Sequence, residues 1–237
     1  MTRRLIVICL LGAVVGVCIL SFNPVNSRVL QLASLGCVTG VWIGLTTLFW
    51  KRKALRAVAL VLPLLAAVPF ILPGGEIDAD ELRKDYVRRM AEFEGTKYFW
   101  GGESSRGIDC SGLPRLALRE ALLAYGFRHL NGRGFRGYLE QWWFDASARA
   151  LSEGYRDYTC PIGVTGIIHE MDYRTLVPGD LAVTASGLHV LAYVGDGRWI
   201  QAEPGIGAVV TLDGQSSDNG WFSTPVTTHR WRILEQR

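Results

Sequence analysis

"GIDCSG", residues 107–112, decides the fold, because the loop that contains it, "KYFWGGESSRGIDCSGLP", leads directly into the helical pattern "RLALREALL". Asp109 is a favourable N-cap residue, so Cys110 is predicted in the first turn of a helix. The free N–H groups and the dipole of a helix N-terminus stabilise an anion and lower the pKa of a thiol. The position indicates a nucleophile, while half of a disulfide and a small core residue are the competing interpretations.

Helical periodicity surrounds this block on both sides. Apolar residues recur at helical spacing over 81–95, namely Leu82, Tyr86, Met90 and Phe93, and again from Leu113 onward. The stretch "GYLEQWWFDASARALSEG", 137–154, also predicts a helix, with "NGRG" before it and "CPIG" after it as turns.

The last third of the chain has the composition of β-strands. Five β-rich segments are separated by Gly, Asp and Pro: "DLAVTA", "HVLAYVG", "RWIQAE", "AVVTL" and "HRWRIL". Helices followed by a set of antiparallel strands form the α+β pattern. The fold class predicted from the sequence is therefore α+β, with one domain over 76–237.

The first 75 residues have a different composition. Three uncharged apolar runs, 5–22, 29–50 and 57–73, each approach the ~20 residues needed to cross a bilayer core. A cleaved signal peptide is the alternative explanation of the first run, but no small-residue cleavage site follows it. The sequence thus predicts a three-helix membrane anchor over 1–75, with the lipid bilayer as a partner.

Basic residues predict the orientation of that anchor. Arg3 and Arg4 precede the first run, and 51–56 contains four more basic residues, whereas only Arg28 lies between the first two runs. Because cytoplasmic loops are enriched in Lys and Arg, the N-terminus and 51–56 are expected inside, and the domain on the periplasmic or extracellular side. These loops explain the net charge of +3, and no basic tract with interleaved aromatics indicates nucleic-acid binding.

A cysteine nucleophile needs a base, and the base needs an orienting group. Of the four histidines, His189 begins the strand "HVLAYVG", which turns through Gly-Asp-Gly into "RWIQAE". A three-residue loop or a bulge places residue 191 opposite Gln201, so that His189 and Gln201 share a face as diagonal neighbours. A two-residue turn would put them on opposite faces. The predicted triad therefore depends on the register, and Glu203 is the alternative orienting group.

The blocks "YFWGGESSRGIDCSGLP", "PGDLAV" and "HVLAYVGDGRWIQAEP" resemble the NlpC-type cell-wall endopeptidases, a papain-like cysteine peptidase family. The resemblance covers about 82–210. It implies that Cys110 is the nucleophile, that His189 is the base and that Gln201 orients it. It also implies that Tyr98 lies near the oxyanion site.

The resemblance further implies the substrate, which in this family is a peptidoglycan stem peptide, usually cleaved at the D-glutamyl–diaminopimelate bond. Asp109 and Ser111 flank the nucleophile as in the family, where they help to bind the amine end of the substrate. Gly102 leaves room for a substrate backbone, and with Glu203 it completes the predicted substrate-binding set. Two features depart from the family: an Arg- and Trp-rich insert within 127–175, and the anchor in place of wall-targeting modules.

Three alternatives stay open at this point. An acyltransferase or amidase acting on lipids or lipoproteins would use the same Cys–His chemistry at a membrane. A non-catalytic wall-binding module would need no thiol, and a Cys110–Cys160 disulfide would remove it. The sequence has no metal-ligand spacing, so neither a metal nor a cofactor is expected.

Overall fold

The computed structural model describes residues 3–215 and 218–235. Its first part consists of three helices whose apolar side chains are largely exposed: α1 (Arg3–Phe22), α2 (Arg28–Leu48) and α3 (Lys53–Ile71). By length and composition each is able to cross a membrane. Two of the three prolines of the third apolar run, Pro63 and Pro69, lie inside α3, as membrane helices tolerate.

The two helices expected around the cysteine block are present. They are α4 (Ala79–Glu92) and α5 (Gly112–His129), with the short hairpin β1 (Glu103–Ser104) and β2 (Gly107–Ile108) between them. The periodic residues Leu82, Tyr86 and Met90 are fully buried against the rest of the domain. Pro114 is the third residue of α5, where the missing N–H costs no helical hydrogen bond.

The middle of the chain differs from the sequence-based prediction. It forms α6 (Gly132–Trp143), α7 (Ala148–Ser152) and the strand β3 (Thr159–Gly166). The single helix predicted over 137–154 is therefore wrong, because the backbone becomes extended at Phe144 and Ser147 then caps a new helix, accepting a bond from the Ala150 amide at 3.2 Å. "NGRG" begins α6 rather than forming a turn, and "CPIG" lies within β3.

The remaining strands follow the predicted segments, except that the last strand begins and ends three residues before the predicted 229–234. They are β4 (Leu181–Thr184), β5 (Val190–Gly195), β6 (Arg198–Glu203), β7 (Ala208–Asp213) and β8 (Val226–Trp231). All pairings are antiparallel, and the sheet has the order β3-β8-β4-β5-β6-β7. The helices α4 and α5 pack on one face of this sheet, and the indole N–H of Trp231 donates to the hydroxyl of Tyr86 at 3.0 Å. The α+β prediction is confirmed.

The register of β5 and β6 is the one on which the predicted triad depends. Ala192 pairs with Ile200, and a bulge follows between Tyr193 and Gly195. If the pairing is extended by one residue beyond Ala192 and Ile200, residue 191 lies opposite Gln201. His189 and Gln201 therefore share one face of the sheet, as the odd-loop or bulge prediction required.

Candidate active site

Cys110 lies between the β1–β2 hairpin and the start of α5. Its thiol is almost completely buried, and Sγ is 3.8 Å from the carbonyl oxygen of Leu188, the residue that precedes His189. Helix α5 is a central element of the core, and Cys110 lies just before its N-cap rather than in its first turn, where the sequence predicted it. The fold thus brings the two predicted reacting segments, 107–112 and 188–190, into contact.

The carboxylate of Asp109 fixes the turn that carries the thiol. Oδ1 accepts bonds from the Gly112 amide at 2.6 Å and from the Ser111 hydroxyl at 3.0 Å, and Oδ2 accepts from the Gly101 amide at 2.9 Å. Helix α5 begins two residues later than predicted, with Ser111 as its N-cap, but Asp109 still satisfies its first amide. The side chains of both residues that flank Cys110 therefore form hydrogen bonds with other groups of the protein.

Gly102 is needed for close packing of this loop on itself. Its carbonyl accepts a bond from the Asp109 amide at 2.9 Å, and a Cβ at this position would lie only 2.5 Å from the Gly107 oxygen. The space that was predicted at Gly102 for a substrate backbone is therefore partly filled by residue 107.

His189 is positioned from both its backbone and its ring. Its amide donates to the Thr184 hydroxyl at 3.1 Å, and its Nε2 lies 2.6 Å from Oε1 of Gln201. Because an amide oxygen accepts, Nε2 carries the proton and the lone pair of Nδ1 is free. Both side chains are buried: His189 lies immediately before β5, and Gln201 lies in the middle of β6.

Trp221 is a neighbour of His189 that the sequence analysis did not identify. Its indole stacks on the imidazole with centroids 4.2 Å apart and planes 14° apart, and its N–H donates to Oε1 of Glu203 at 3.0 Å. Glu203 also accepts a bond from the Ile206 amide. The carboxylate predicted as an alternative orienting group or substrate ligand therefore anchors the ring that covers His189. Only the tertiary fold brings 221 to this place, and no local motif indicates it.

Burial determines the protonation of the reacting pair. It raises the pKa of Cys110 to about 12, with the Asp109 charge adding to the effect, and it lowers the pKa of His189 to about 4. The expected lowering of the thiol pKa by the helix N-terminus is thus outweighed by desolvation. At neutral pH the site holds a neutral thiol and a neutral imidazole.

Tyr98 stands on the edge of the same site. Its amide donates to the Gly207 oxygen at 2.8 Å, and its backbone forms a parallel bridge with Ile108. The ring is half-buried, and burial raises its pKa to about 12, with the neighbouring Cys110 and Asp109 adding to the effect. The hydroxyl is therefore protonated at neutral pH and available as a donor.

A cleft of about 450 Å³ opens above the thiol. Four of the predicted site residues line it, and these are Gly102, Asp109, Cys110 and Ser111. Trp100 and Leu188, which also line it, are 77% and 65% exposed. A larger groove of about 820 Å³ between α6 and the C-terminal residues contains none of the predicted site residues, so we assign it no part in the chemistry.

Cys160 does not pair with Cys110, and both thiols are free. Cys160 lies in β3, where its thiol donates to a Glu235 carboxylate oxygen at 2.9 Å and lies 3.6 Å from the Arg230 carbonyl oxygen. Burial raises the pKa of this thiol to about 11, and the hydrogen bond to Glu235 contributes in the same direction. The disulfide interpretation of Cys110 is therefore not the arrangement found here.

Comparison with solved structures finds several related domains of low sequence identity. NlpC1 from Trichomonas vaginalis is 21% identical over 65% of this chain and 45% of its own, with a TM-score of 0.44. The peptidoglycan hydrolase RipB from Mycobacterium tuberculosis is 22% identical over 78% of this chain and 89% of its own, with a TM-score of 0.41. The P60 domain of an antigen from M. avium subspecies paratuberculosis is 20% identical over 68% of this chain and all of its own, with a TM-score of 0.40.

The chain spans about half the length of NlpC1 and of its relative NlpC2 from the same organism. A search of curated protein sequences found no match. Among protein-family models, that of the NlpC/P60 family, papain-like hydrolases that act on the cell wall, matches residues 95–230. This match covers more than half of the chain and includes Cys110, His189 and Gln201, and the protein therefore belongs to the NlpC/P60 family.

Proposed function

We propose that residues 76–237 form an extracytoplasmic cysteine endopeptidase carried on a three-helix membrane anchor, residues 1–75. Its substrate is a peptidoglycan stem peptide, cleaved at the amide between D-glutamate and diaminopimelate. The observation that carries this proposal is the packing of Cys110 against the residue before His189, with the His189 ring bonded to Gln201 at 2.6 Å. This is the nucleophile, base and orienting group that covalent amide hydrolysis requires.

The reaction starts from the neutral pair. As Cys110 Sγ attacks the scissile carbonyl carbon, the thiol proton passes to the free lone pair of His189 Nδ1. Gln201 accepts the bond from Nε2–H and keeps the ring in the tautomer that makes this transfer possible. The resulting imidazolium protonates the leaving amine, the C–N bond breaks, and the acyl group remains on Cys110 as a thioester.

Water completes the cycle. His189, again neutral, removes a proton from a water molecule that attacks the thioester, and the thiol is restored as the peptide acid leaves. In both steps the negative oxygen of the tetrahedral intermediate is held by the Cys110 amide and by the hydroxyl of Tyr98. A phenol that stays protonated up to high pH suits that donor role.

The test is product analysis with matched cysteine variants. Wild type, Cys110→Ala and Cys160→Ala are incubated with purified peptidoglycan and with free stem peptides, and the products are identified by mass spectrometry. Wild type and Cys160→Ala are expected to release fragments cut after D-glutamate, and Cys110→Ala none. Fragments from Cys110→Ala, or none from wild type, would refute the proposed peptidase.

A further inference from the structure

The loop between α1 and α2 pairs with the domain beside the candidate active site. The Asn26 amide donates to the Gly101 oxygen at 3.2 Å, and the Glu103 amide donates to the Pro24 oxygen at 2.8 Å. Val25 forms an antiparallel bridge with Gly102 between these two bonds. Residues 24–26 thus add a short strand segment to 101–103, and the anchor is continuous with the domain at this point.

Hydrogen bonds connect this pairing to Asp109, the residue that precedes Cys110. The Asp109 amide donates to the Gly102 oxygen, and the Asp109 carboxylate accepts from the Gly101 amide, both at 2.9 Å. Asn26 itself lines the cleft that contains Cys110. One wall of that cleft therefore belongs to the anchor rather than to the peptidase domain.

Buried polar groups fix this wall. The Asn26 side-chain amide donates to Glu103, whose carboxylate lies 3.2 Å from Arg119 and 3.5 Å from Arg115, and all three ionic side chains are buried. Gln31 of α2 donates to the Asn26 side-chain oxygen at 2.9 Å and orients it. A buried carboxylate between two guanidinium groups is costly to disturb, so the loop is held firmly.

The Arg- and Trp-rich insert makes a second attachment. Arg136 of α6 donates to the Phe70 and Leu72 oxygens at the end of α3, at 3.0 and 2.9 Å, and Phe70 packs on Phe135 with centroids 6.0 Å apart. Gln31 also donates to the Trp142 oxygen at 2.5 Å. Helix α6, which lies within the insert, thus holds the anchor at a second place, apart from the pairing with 101–103. Two separated attachments fix the direction in which the cleft faces.

The position of Asn26 between α1 and α2 indicates the height of the cleft relative to the membrane. Asn26 comes four residues after Phe22, the last residue of α1, and two before Arg28, the first residue of α2. A wall of the cleft therefore stands where these helices leave the bilayer. Trp100, next to the paired Gly101, and Leu188 expose large apolar surfaces at the mouth of the cleft. Exposed apolar patches of this kind favour contact with a membrane or a lipid over contact with a free, polar stem peptide.

We infer that the candidate active site takes its stem peptide from a lipid-anchored molecule at the outer surface of the membrane, and that residues 24–26 of the α1–α2 loop form a wall of its substrate cleft. The inference rests on the proposed function. It narrows the substrate from wall peptides in general to peptides carried by a lipid.

The test uses the full chain reconstituted in phospholipid vesicles and one stem peptide presented in three ways. The peptide is free in solution, attached directly to a phospholipid headgroup, or attached through a polyproline spacer of about 50 Å, about 16 residues at about 3.1 Å each. Because the enzyme and the peptide then sit in the same membrane, the local concentration of both lipid-linked forms is raised whatever the height of the cleft. The two lipid-linked forms share this effect and differ only in the distance of the peptide from the membrane, so comparing them tests the height of the cleft.

The directly attached peptide is expected to be cleaved at least as fast as the spacer-linked peptide and at least about tenfold faster than the free one. Cleavage that requires the spacer, or equal rates for all three forms, would overturn the inference and leave the peptidase standing. Failure to cleave any of the three would overturn the proposed function, and this inference with it. A fatty acyl thioester on Cys110 without peptide cleavage would do the same, in favour of acyl transfer.

The wall is tested separately by two variants in the same loop. Asn26→Asp sets a second carboxylate against Glu103, and cleavage of the lipid-linked peptide is expected to fall by about tenfold or more. Asn23→Asp, at an exposed position of the same loop, is expected to leave the rate within about twofold. Equal rates for wild type and Asn26→Asp would overturn the role of the loop.

Discussion

Nε2 of His189 lies 2.6 Å from Oε1 of Gln201, and both side chains are buried within the sheet. The contact exists because a bulge in the β5–β6 hairpin sets the two residues on one face. The bond assigns the proton to Nε2 and leaves Nδ1 as the base. The proposed chemistry depends on this tautomer.

Gln201→Ala removes the acceptor and frees the ring to adopt the other tautomer. We expect kcat to fall by about 10²-fold or more with little change in KM, because the group acts on the base and not on the substrate. Steady-state kinetics on a stem peptide measure both constants. A rise in KM at constant kcat would instead indicate that Gln201 binds substrate.

The pH profile follows from the two shifted pKa values. His189 remains an unprotonated base down to about pH 4, and the Cys110 thiol remains protonated up to about pH 12. We therefore expect kcat/KM to stay level through neutral pH and to fall only as pH drops toward 4, since protonated His189 no longer accepts a proton. An acid limb near pH 6.5, the ordinary histidine value, would contradict this.

Gln201→Glu serves as the charged counterpart of that measurement. A carboxylate at this position stabilises the imidazolium, so the pKa of His189 rises and the acid limb moves to higher pH. An acid limb that stays in place would show that His189 is not the group being titrated.

Trp221 is expected to act through His189. Trp221→Ala opens the imidazole to water, which weakens desolvation and raises the pKa of His189 toward its ordinary value. The acid limb should therefore move up and kcat should fall by about tenfold. Trp221→Phe keeps an aromatic ring over the imidazole and is expected to retain most of the activity. A drop in Tm without a shift of the limb would reveal a purely structural role.

The orientation of the anchor is testable by cysteine labelling. In a chain whose five native cysteines are replaced by alanine, single variants Asn23→Cys, Arg52→Cys and Glu76→Cys are made at exposed positions. Because three crossings place 23 and 76 on one side and 52 on the other, a membrane-impermeant maleimide on intact cells should label the first and third only. Labelling of Arg52→Cys on intact cells would reverse the topology.

The sequence predicted those features that depend on local pattern. The apolar residues of α4 and the C-terminal strand segments follow from periodicity. The shared face of His189 and Gln201 was predicted only on condition of an odd loop or a bulge, and the structure has the bulge. The break at Phe144 was missed because tertiary contacts, among them the ion pair of Arg115 with Asp145, override the helical pattern of 137–154. The strand β3 was missed because its pairing with the distant β8 has no local signal, and "CPIG" within it was predicted as a turn. The thiol pKa was predicted in the wrong direction, since a helix N-terminus is visible in a sequence and burial is not. For the same reason no motif indicated the stack of Trp221 on His189, or the Asn26 contact with Glu103.

The most direct test of the central claim is the acyl-enzyme itself. Wild-type protein turning over a stem peptide is quenched in acid, digested and mapped by mass spectrometry, with Cys160 as the internal reference thiol. The account predicts a thioester of the D-glutamyl fragment on Cys110 alone, lost on treatment with hydroxylamine. Continued turnover with Cys110 unmodified, together with undiminished cleavage by Cys110→Ala, would contradict it.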